Sequence, residues 1–461
     1  MKEKKFKIPH VFVLLMLIVL IAAIMSYIVP AGMYDRVDVD GRSLIDAESF
    51  HYIDRTPVGL MTLLSSMSAG MEQGAAIIFF VFIVGGSIGV LQDSGAIEGG
   101  LIRLSKVLAG RETLIVPIVM IIISLASATM GASEEMMPLI PIMVALAIAV
   151  GFDSITGCAM IISSCASGFA GAFMNPFTVG VAQGIAELPP MSGAAFRVVM
   201  YICITSSSII IISRYAQKVK KNPTLSSMYE FDLTRDGIVD EKEVNFGIRE
   251  KLSLLAFVIT LGILVYGVTQ EGWYFTEIGA LFLGMSIVVA IISNMGLDGY
   301  GTSLANGMTN VASGALVVGI ATGILVVLNE GNIMDTMLHA AATLLSNLPS
   351  QVSAIGMYIF QCLLNFLVPS GSGQAAITMP ILAPLGDLVG VTRQTAVICF
   401  QLGDGISNAI TPTSGVLMAS LALGKVPWGK WAKFYLPILL VHYAIGLVFV
   451  LVAQFMHLGP F

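Results

Sequence analysis

Apolar residues run along this chain in stretches long enough to cross a lipid bilayer, separated by short polar interruptions. Val11 to Ile28, Ile77 to Leu91, Leu114 to Ala126 and Leu436 to Val452 meet or approach the roughly 20 apolar residues that a spanning helix needs. The first reads as a retained helix and not a signal peptide, because no small-residue cleavage site followed by a soluble domain appears. Lys2 to Lys7 then puts the N-terminus in the cytoplasm, and the acidic stretch Asp35 to Asp54 falls outside.

The two halves resemble each other at an offset of about 236 to 239 residues, the size of a duplicated multi-helix unit. Leu91-Gln-Asp-Ser-Gly95-Ala-Ile97 pairs with Leu328-Asn-Glu-Gly-Asn-Ile333, Met137-Pro-Leu-Ile-Pro141 with Ala376-Ile-Thr-Met-Pro380, and Gly151 with Gly390. Asn175-Pro176-Phe-Thr178 pairs with Thr411-Pro412-Thr-Ser414, a polar break in an otherwise apolar stretch. Basic residues place the copies upside down to each other. The loop with Arg103, Lys106 and Arg111 falls inside, whereas its mate Asn329 to Gln351 has no Lys or Arg; Glu187 to Ala194 has none, whereas its mate carries Lys425, Lys430 and Lys433. The expected division is 1–56 for the first helix and its outside loop, 57–213 for the first repeat, 214–251 for a cytoplasmic connector, 252–301 for two joining helices and 302–461 for the inverted second repeat.

Composition agrees with a lipid-embedded chain: 461 residues are 56% hydrophobic and 11% charged, with mean hydropathy +0.89. The net charge of −6 says little, since the placement of Lys and Arg decides topology. Cys158, Cys165, Cys203, Cys362 and Cys399 lie in apolar spans at unrelated spacings, which suggests neither disulfides nor a metal cluster. His10, His51, His339, His442 and His457 are scattered without a metal-protease spacing, so an intramembrane enzyme is disfavoured.

The chemistry concentrates where the spans are interrupted. Gly131-Ala-Ser133-Glu134-Glu135 breaks Leu114 to Val150, and Pro369-Ser370-Gly371-Ser372-Gly373-Gln374 breaks the second copy, which predicts two re-entrant hairpins meeting two broken helices. Half-helices starting at Ser133 or Ser372 would turn free amides and a positive dipole end towards a carboxylate. Plain helix capping accounts for the same serines and competes for Glu134 and Glu135. Asp404, in Gly403-Asp-Gly-Ile-Ser-Asn408 before the Pro412 break, has no capping explanation and reads as functional. Asp93 and Asp153, near span ends, read as interfacial.

Through Gly131-Ala-Ser-Glu-Glu-Met-Met-Pro138, Phe173-Met-Asn-Pro176-Phe-Thr, Pro369-Ser-Gly-Ser-Gly-Gln374 and Gly403-Asp-Gly-Ile-Ser-Asn-Ala-Ile-Thr-Pro412, the chain resembles the YfcC-type branch of the C4-dicarboxylate anaerobic carrier-like proteins, which includes arginine/ornithine antiporters. The resemblance covers nearly the whole length. It implies the ion-transporter superfamily fold, all-α and polytopic, in which a scaffold domain at a homodimer interface carries a transport domain that moves as an elevator in a bacterial inner membrane. It places the substrate site on Ser133, Glu134, Glu135, Asn175, Thr178, Ser370, Ser372, Gln374, Asp404, Asn408 and Thr411. The Ser-Asn-Thr tips of that superfamily's dicarboxylate symporters are absent, which argues against a dicarboxylate substrate or sodium coupling.

The leading expectation is secondary transport of a small charged metabolite, a basic amino acid, by exchange or with coupling to H+ or Na+; the alternative is a C4-dicarboxylate or other carboxylate. No other cofactor, metal or nucleic-acid partner is expected. A channel would share the composition, but broken helices in inverted repeats are the signature of alternating access. Asp232 to Glu243 matches most positions of a calcium loop, with Thr234 at the third, although a solvated connector explains it more simply.

Overall fold

In the computed structural model the described residues are 11–39, 42–46, 48–97, 99–100, 111–235, 247–271 and 273–459. The basic N-terminal run, Arg103 and Lys106, and residues 236–243 of the possible calcium loop lie outside them. The chain is a helical membrane protein. Among the described residues six helices are long and apolar enough to span: Ala75–Asp93, Glu112–Met130, Ala194–Lys221, Phe275–Ser293, Gly296–Glu330 and Trp428–Phe455.

The helices form two packed groups. The first holds α1 (Val11–Ile28), α2 (Leu60–Gln73), α3 (Ala75–Asp93) and the pair α10 (Ile248–Gln270) and α11 (Phe275–Ser293), around α12 (Gly296–Glu330). Its seam is glycine on glycine. A Cβ on Gly307 of α12 would lie 2.6 Å from the carbonyl oxygen of Gly85 and 2.8 Å from the Cα of Gly86, so the backbones touch where side chains would hold them apart.

The second group contains two hairpins and two broken helices. One hairpin is α4 (Ile115–Met130), a tight turn Glu134–Leu139, and α5 (Ile140–Ala149). It starts with Glu112 paired to Lys220 at 3.2 Å and returns to Gly151 and Phe152, which lie against the same Lys220 side chain. The other is α14 (Ser350–Asn365) and α15 (Gly371–Val389), whose far end, Gly390, comes back beside Ser350. Each hairpin therefore returns to the face from which it came.

Those faces are opposite. α8 (Ala194–Lys221) begins with Arg197 bound to Gln394 and ends at Lys220, whereas α18 (Trp428–Phe455) begins with Lys430 on the Ser227 carbonyl, beyond the end of α8, and ends with Gln454 donating to the Gly390 carbonyl at 2.7 Å. The two helices run antiparallel. The broken helices follow suit: α6 (Ser154–Ala170) starts at the Lys220 face and α16 (Arg393–Ser407) at the other, and their C-terminal ends meet inside, where Gln401 Nε2 donates to the carbonyls of Ala170 and Ala172 at 3.0 and 2.7 Å. Past the breaks, a turn at Pro176–Gly180 leads into α7 (Val181–Ile185), and α16 is followed by α17 (Gly415–Leu423).

Some expectations move. The loop after α1 departs from the all-α expectation: Gly32–Met33 pairs with His51–Tyr52 and Arg36–Val39 with Arg42–Ile45, short antiparallel ribbons. Asp335, at the start of α13 (Met334–Leu345), holds this loop by accepting from the Tyr34 amide and Arg36 Nη2, both at 3.0 Å. Burial and then the Asp335 carboxylate push the Tyr34 hydroxyl up to about 12. α8 continues to Lys221, past the expected boundary at 213, because Lys218, Lys220 and Lys221 suit its last turn. The boundary at 301 falls inside α12, which runs unbroken from Gly296 to Glu330. Asp93 is exposed at a span end, but Asp153 is buried: its carboxylate caps α6 at Thr156 and accepts from Tyr215 and Ser226 at 2.6 Å. Asp232, first residue of the possible calcium loop, is likewise committed, to the Ser154 amide and to Arg235.

Candidate functional site

The hairpin tips, both breaks and the first helix group line a half-open cavity of about 1000 Å³. Local sequence explains why the tips reach it. α4 stops because Gly131 takes the left-handed conformation, φ 73°, and a Cβ there would lie 2.7 Å from Asn175 Oδ1, so only glycine lets this tip close on the first break. Each break is fastened to the carbonyls its hairpin leaves free: the Met174 amide donates to the Ala128 carbonyl at 3.2 Å, and Thr413 Oγ1 to the Phe366 carbonyl at 2.6 Å. Arg197, fully buried, donates to Gln401 Oε1, Gln394 Oε1 and the Ser192 carbonyl, and so orients the Gln401 amide that serves the end of α6.

Ser133, Glu134, Glu135, Thr178, Ser370, Ser372, Asp404 and Asn408 line the cavity together. The remaining three expected residues stand behind its wall. Asn175 is the cap of the helix after the first break, its Oδ1 accepting from the amides of Phe177 and Thr178. Thr411 donates to the Ser407 carbonyl at 2.7 Å. Gln374 is fully buried, donating to Gln361 and accepting from Asn365. All three look like binding groups in the sequence, and each has its hydrogen bonds filled within the fold.

The second half-helix starts two residues earlier than the sequence suggests: Ser370, not Ser372, caps α15 by accepting from the Gly373 amide at 3.3 Å, and both serines are exposed to the cavity. Ser133 makes no side-chain cap. The Glu135 carboxylate fills that role, accepting from the Ser133 amide at 2.9 Å, and is buried, whereas Glu134 stays partly open to the cavity it lines. The two adjacent glutamates thus divide into a cap and a free acid.

Asp404 is 1% exposed, and its Oδ1 accepts from Asn408 at 2.7 Å and Asn365 at 3.1 Å. Its Oδ2 lies toward the start of α15, 3.0 Å from where a Cβ on Gly371 would stand. Around it Thr178 Oγ1, Asn365 Oδ1 and Asn408 Oδ1 are buried without a hydrogen-bond partner. Thr178 and Asn408 line the cavity beside this carboxylate, so two of these oxygens suit a cationic group or a donor. Asn365 was missed from the sequence because a lone amide at the end of an apolar helix resembles a cap. Trp273 and Tyr274, from the loop between α10 and α11, also line the cavity and carry no sequence signal beyond that of aromatic residues at a membrane interface.

Among the described residues no Lys, Arg or His lines the cavity. Cys165 lines the cavity while Cys158 and Cys399 are buried elsewhere, and all five cysteines are free thiols. Among the described residues no group of His, Cys, Asp and Glu could hold a metal ion by such ligands.

Comparison with known proteins places this architecture. The family described as "DcuC: C4-dicarboxylate anaerobic carrier" matches residues 8–455. The chain belongs to the DcuC family. Within reach of it, the Escherichia coli protein named "Putative basic amino acid antiporter YfcC" is 34% identical over 98% of this chain and 97% of its own. An uncharacterised protein of Haemophilus influenzae is 27% identical over 95% of each chain. The solved Alcanivorax borkumensis YdaH transporter is 18% identical, with a TM-score of 0.44 over 98% of this chain and all of that one, a likeness too weak to transfer anything. The chain is thus a secondary transporter of this family and not an enzyme.

Proposed function

We propose that the protein exchanges a basic amino acid across a bacterial inner membrane. The observation that carries this reading is the charge of the cavity: Glu134, Glu135 and Asp404 line it, and among the described residues no basic side chain does. A dicarboxylate would bring two negative charges to three carboxylates with no cation among the described lining residues to offset them, whereas a cationic side chain finds opposite charge and the orphaned oxygens of Thr178 and Asn408. The α-carboxylate has its own place at the first turn of α15, where Ser370 and Ser372 flank amides without helical partners. The name of the Escherichia coli relative points the same way.

In this reading the second helix group is a transport domain of two inverted repeats with re-entrant hairpins, and the first group is a scaffold at a homodimer interface. The antiparallel course of α8 and α18 and the return of each hairpin to its own face support the inversion. The domain carries the cavity across as an elevator, with the connector and N-terminus in the cytoplasm. Asp404 with its neighbouring oxygens would serve equally for a coupling H+ or Na+ when no substrate cation is there.

The alternative, a C4-dicarboxylate, rests on the family's description and on the amides of α15. Calorimetry of purified protein with arginine, ornithine and succinate separates the two: preference for arginine or ornithine is expected, and preference for succinate overturns the assignment.

A further inference from the structure

The Lys220 end of the second helix group, cytoplasmic in the proposed orientation, carries more positive charge than the fold uses. α8 finishes with Arg214, Lys218, Lys220 and Lys221, and α18 opens with Lys430 and Lys433. Lys220 is taken up by Glu112 and the Phe152 ring, and Lys430 by the Ser227 carbonyl and the Phe231 ring. The other four are exposed and have no ion pair among the described residues. The dipole of α8 favours Lys218 and Lys221 in its last turn, but gives no such reason for Arg214, about two turns earlier, or for Lys433 in the opening turns of α18, the end where a dipole favours anions.

These four cations meet on one side of a fixed seam. Tyr215 of α8 packs on Phe434 of α18 with ring centroids 4.6 Å apart; the Tyr215 hydroxyl donates to Asp153 Oδ2 at 2.6 Å, and Phe434 lies against Trp431 with centroids 5.7 Å apart. Arg214 and Lys433 each precede one of the two touching rings, and in an antiparallel pair the residues just before a contact turn to the same side. Lys218 and Lys221 follow Arg214 at helical spacing and share its face. Deeper along these faces Ile210 of α8 and Leu436 and Leu440 of α18 are exposed. Arg214 to Lys221 covers roughly 10 Å at about 1.5 Å per residue, a charged step that gives way to an apolar one. We propose that this furrow binds an anionic phospholipid, its phosphate among Arg214, Lys218, Lys221 and Lys433 and its acyl chains along Ile210, Leu436 and Leu440. Basic pockets between spanning helices suit acidic headgroups, and long cationic side chains reach them over apolar stems. A free anion would gain nothing from the apolar step, and a zwitterionic lipid brings its own cation. The inference does not depend on which solute is carried.

Calorimetry of the full chain in neutral detergent, titrated with short-chain phosphatidylglycerol, short-chain phosphatidylcholine or glycerol phosphate, tests this. Phosphatidylglycerol should bind saturably, one molecule per chain, at least about tenfold more tightly than phosphatidylcholine, and glycerol phosphate should not compete with it. Lys433→Gln and Arg214→Gln should each weaken phosphatidylglycerol by about fivefold, and the double variant by more than about tenfold, with phosphatidylcholine unmoved. Lys433→Arg keeps the charge and should keep the affinity, and Arg55→Gln, which removes an exposed cation outside the furrow, should change nothing. If the double variant folds poorly, raised salt on the wild type gives the same reading, because screening should shrink the preference for the acidic lipid. Equal affinity for the two lipids, uptake of phosphatidylglycerol without saturation, or a preference that survives both substitutions overturns the proposal. Glycerol phosphate binding as tightly as phosphatidylglycerol overturns it too, since the occupant would then be a free anion.

Discussion

Gly371 is where the arrangement of the tips can be tested with one methyl group. It opens α15, and a Cβ there would stand 2.7 Å from Thr178 Cγ2 and 3.0 Å from Asp404 Oδ2. Carbon atoms rest at about 3.5 to 4.0 Å, so Gly371→Ala must move the tip or its neighbours by roughly 0.8 Å. Neither neighbour yields readily. Thr178 is β-branched and buried, and the Asp404 carboxylate is held by two asparagine amides. Overpacking of this kind costs about 1 to 3 kcal/mol. If the strain falls on the closed, substrate-holding arrangement, arginine binding should weaken by roughly 5- to 150-fold, with exchange falling in step. Gly184→Ala is the control: nothing lies within 4 Å of a Cβ there, and the change should be neutral or add up to about 1 kcal/mol of stability. Calorimetry and liposome exchange on both variants decide the matter; arginine affinity in Gly371→Ala within twofold of wild type would refute the packing argument.

Three further outcomes are expected. Asp404→Asn should reduce arginine exchange by at least about 100-fold while the protein still purifies as a folded species, since Asn can keep one acceptor for Asn365 and Asn408 but loses the charge; near-normal exchange would remove Asp404 from the site. Gln374→Ala should act chiefly on stability, by about 1 to 3 kcal/mol, because it strands Gln361 and Asn365; a thermal melt at the wild-type midpoint alongside weakened binding would instead return Gln374 to the cavity wall. In a Cys203→Ser background, Thr224→Cys should resist an impermeant maleimide added to intact cells and Asn347→Cys should react with it, as both sites are exposed and lie on opposite faces in the proposed orientation; labelling of both from one side would sink the inverted topology.

The span lengths, the paired interruptions and the glycine-rich tips were legible in the sequence because hydropathy and backbone chemistry are local properties. Asp404 stood out for the same reason, as a carboxylate that no helix end explains. What the sequence could not separate was which polar residue at a tip faces the cavity and which is consumed by the fold. Glu134 and Glu135 are neighbours of one type, yet only the turn of the chain after Gly131 aims Glu135 back at the Ser133 amide. Gln374 resembles a ligand group until α14 brings Gln361 and Asn365 against it. Tyr274 lies far from the tips in sequence and joins them only through packing of the two groups.

The glycine seam between α3 and α12 limits what can move. Backbones that meet without side chains between them, as Gly307 meets Gly85 and Gly86, have no compressible layer in which to slide, so sideways displacement there would force peptide groups into one another. In the proposed elevator this makes the first helix group the stationary rail, and lipids beside it would not need to rearrange during a cycle. Disease-like or laboratory substitutions that place a methyl in that seam would therefore be felt as slow or failed insertion and assembly, and not as altered preference for cargo.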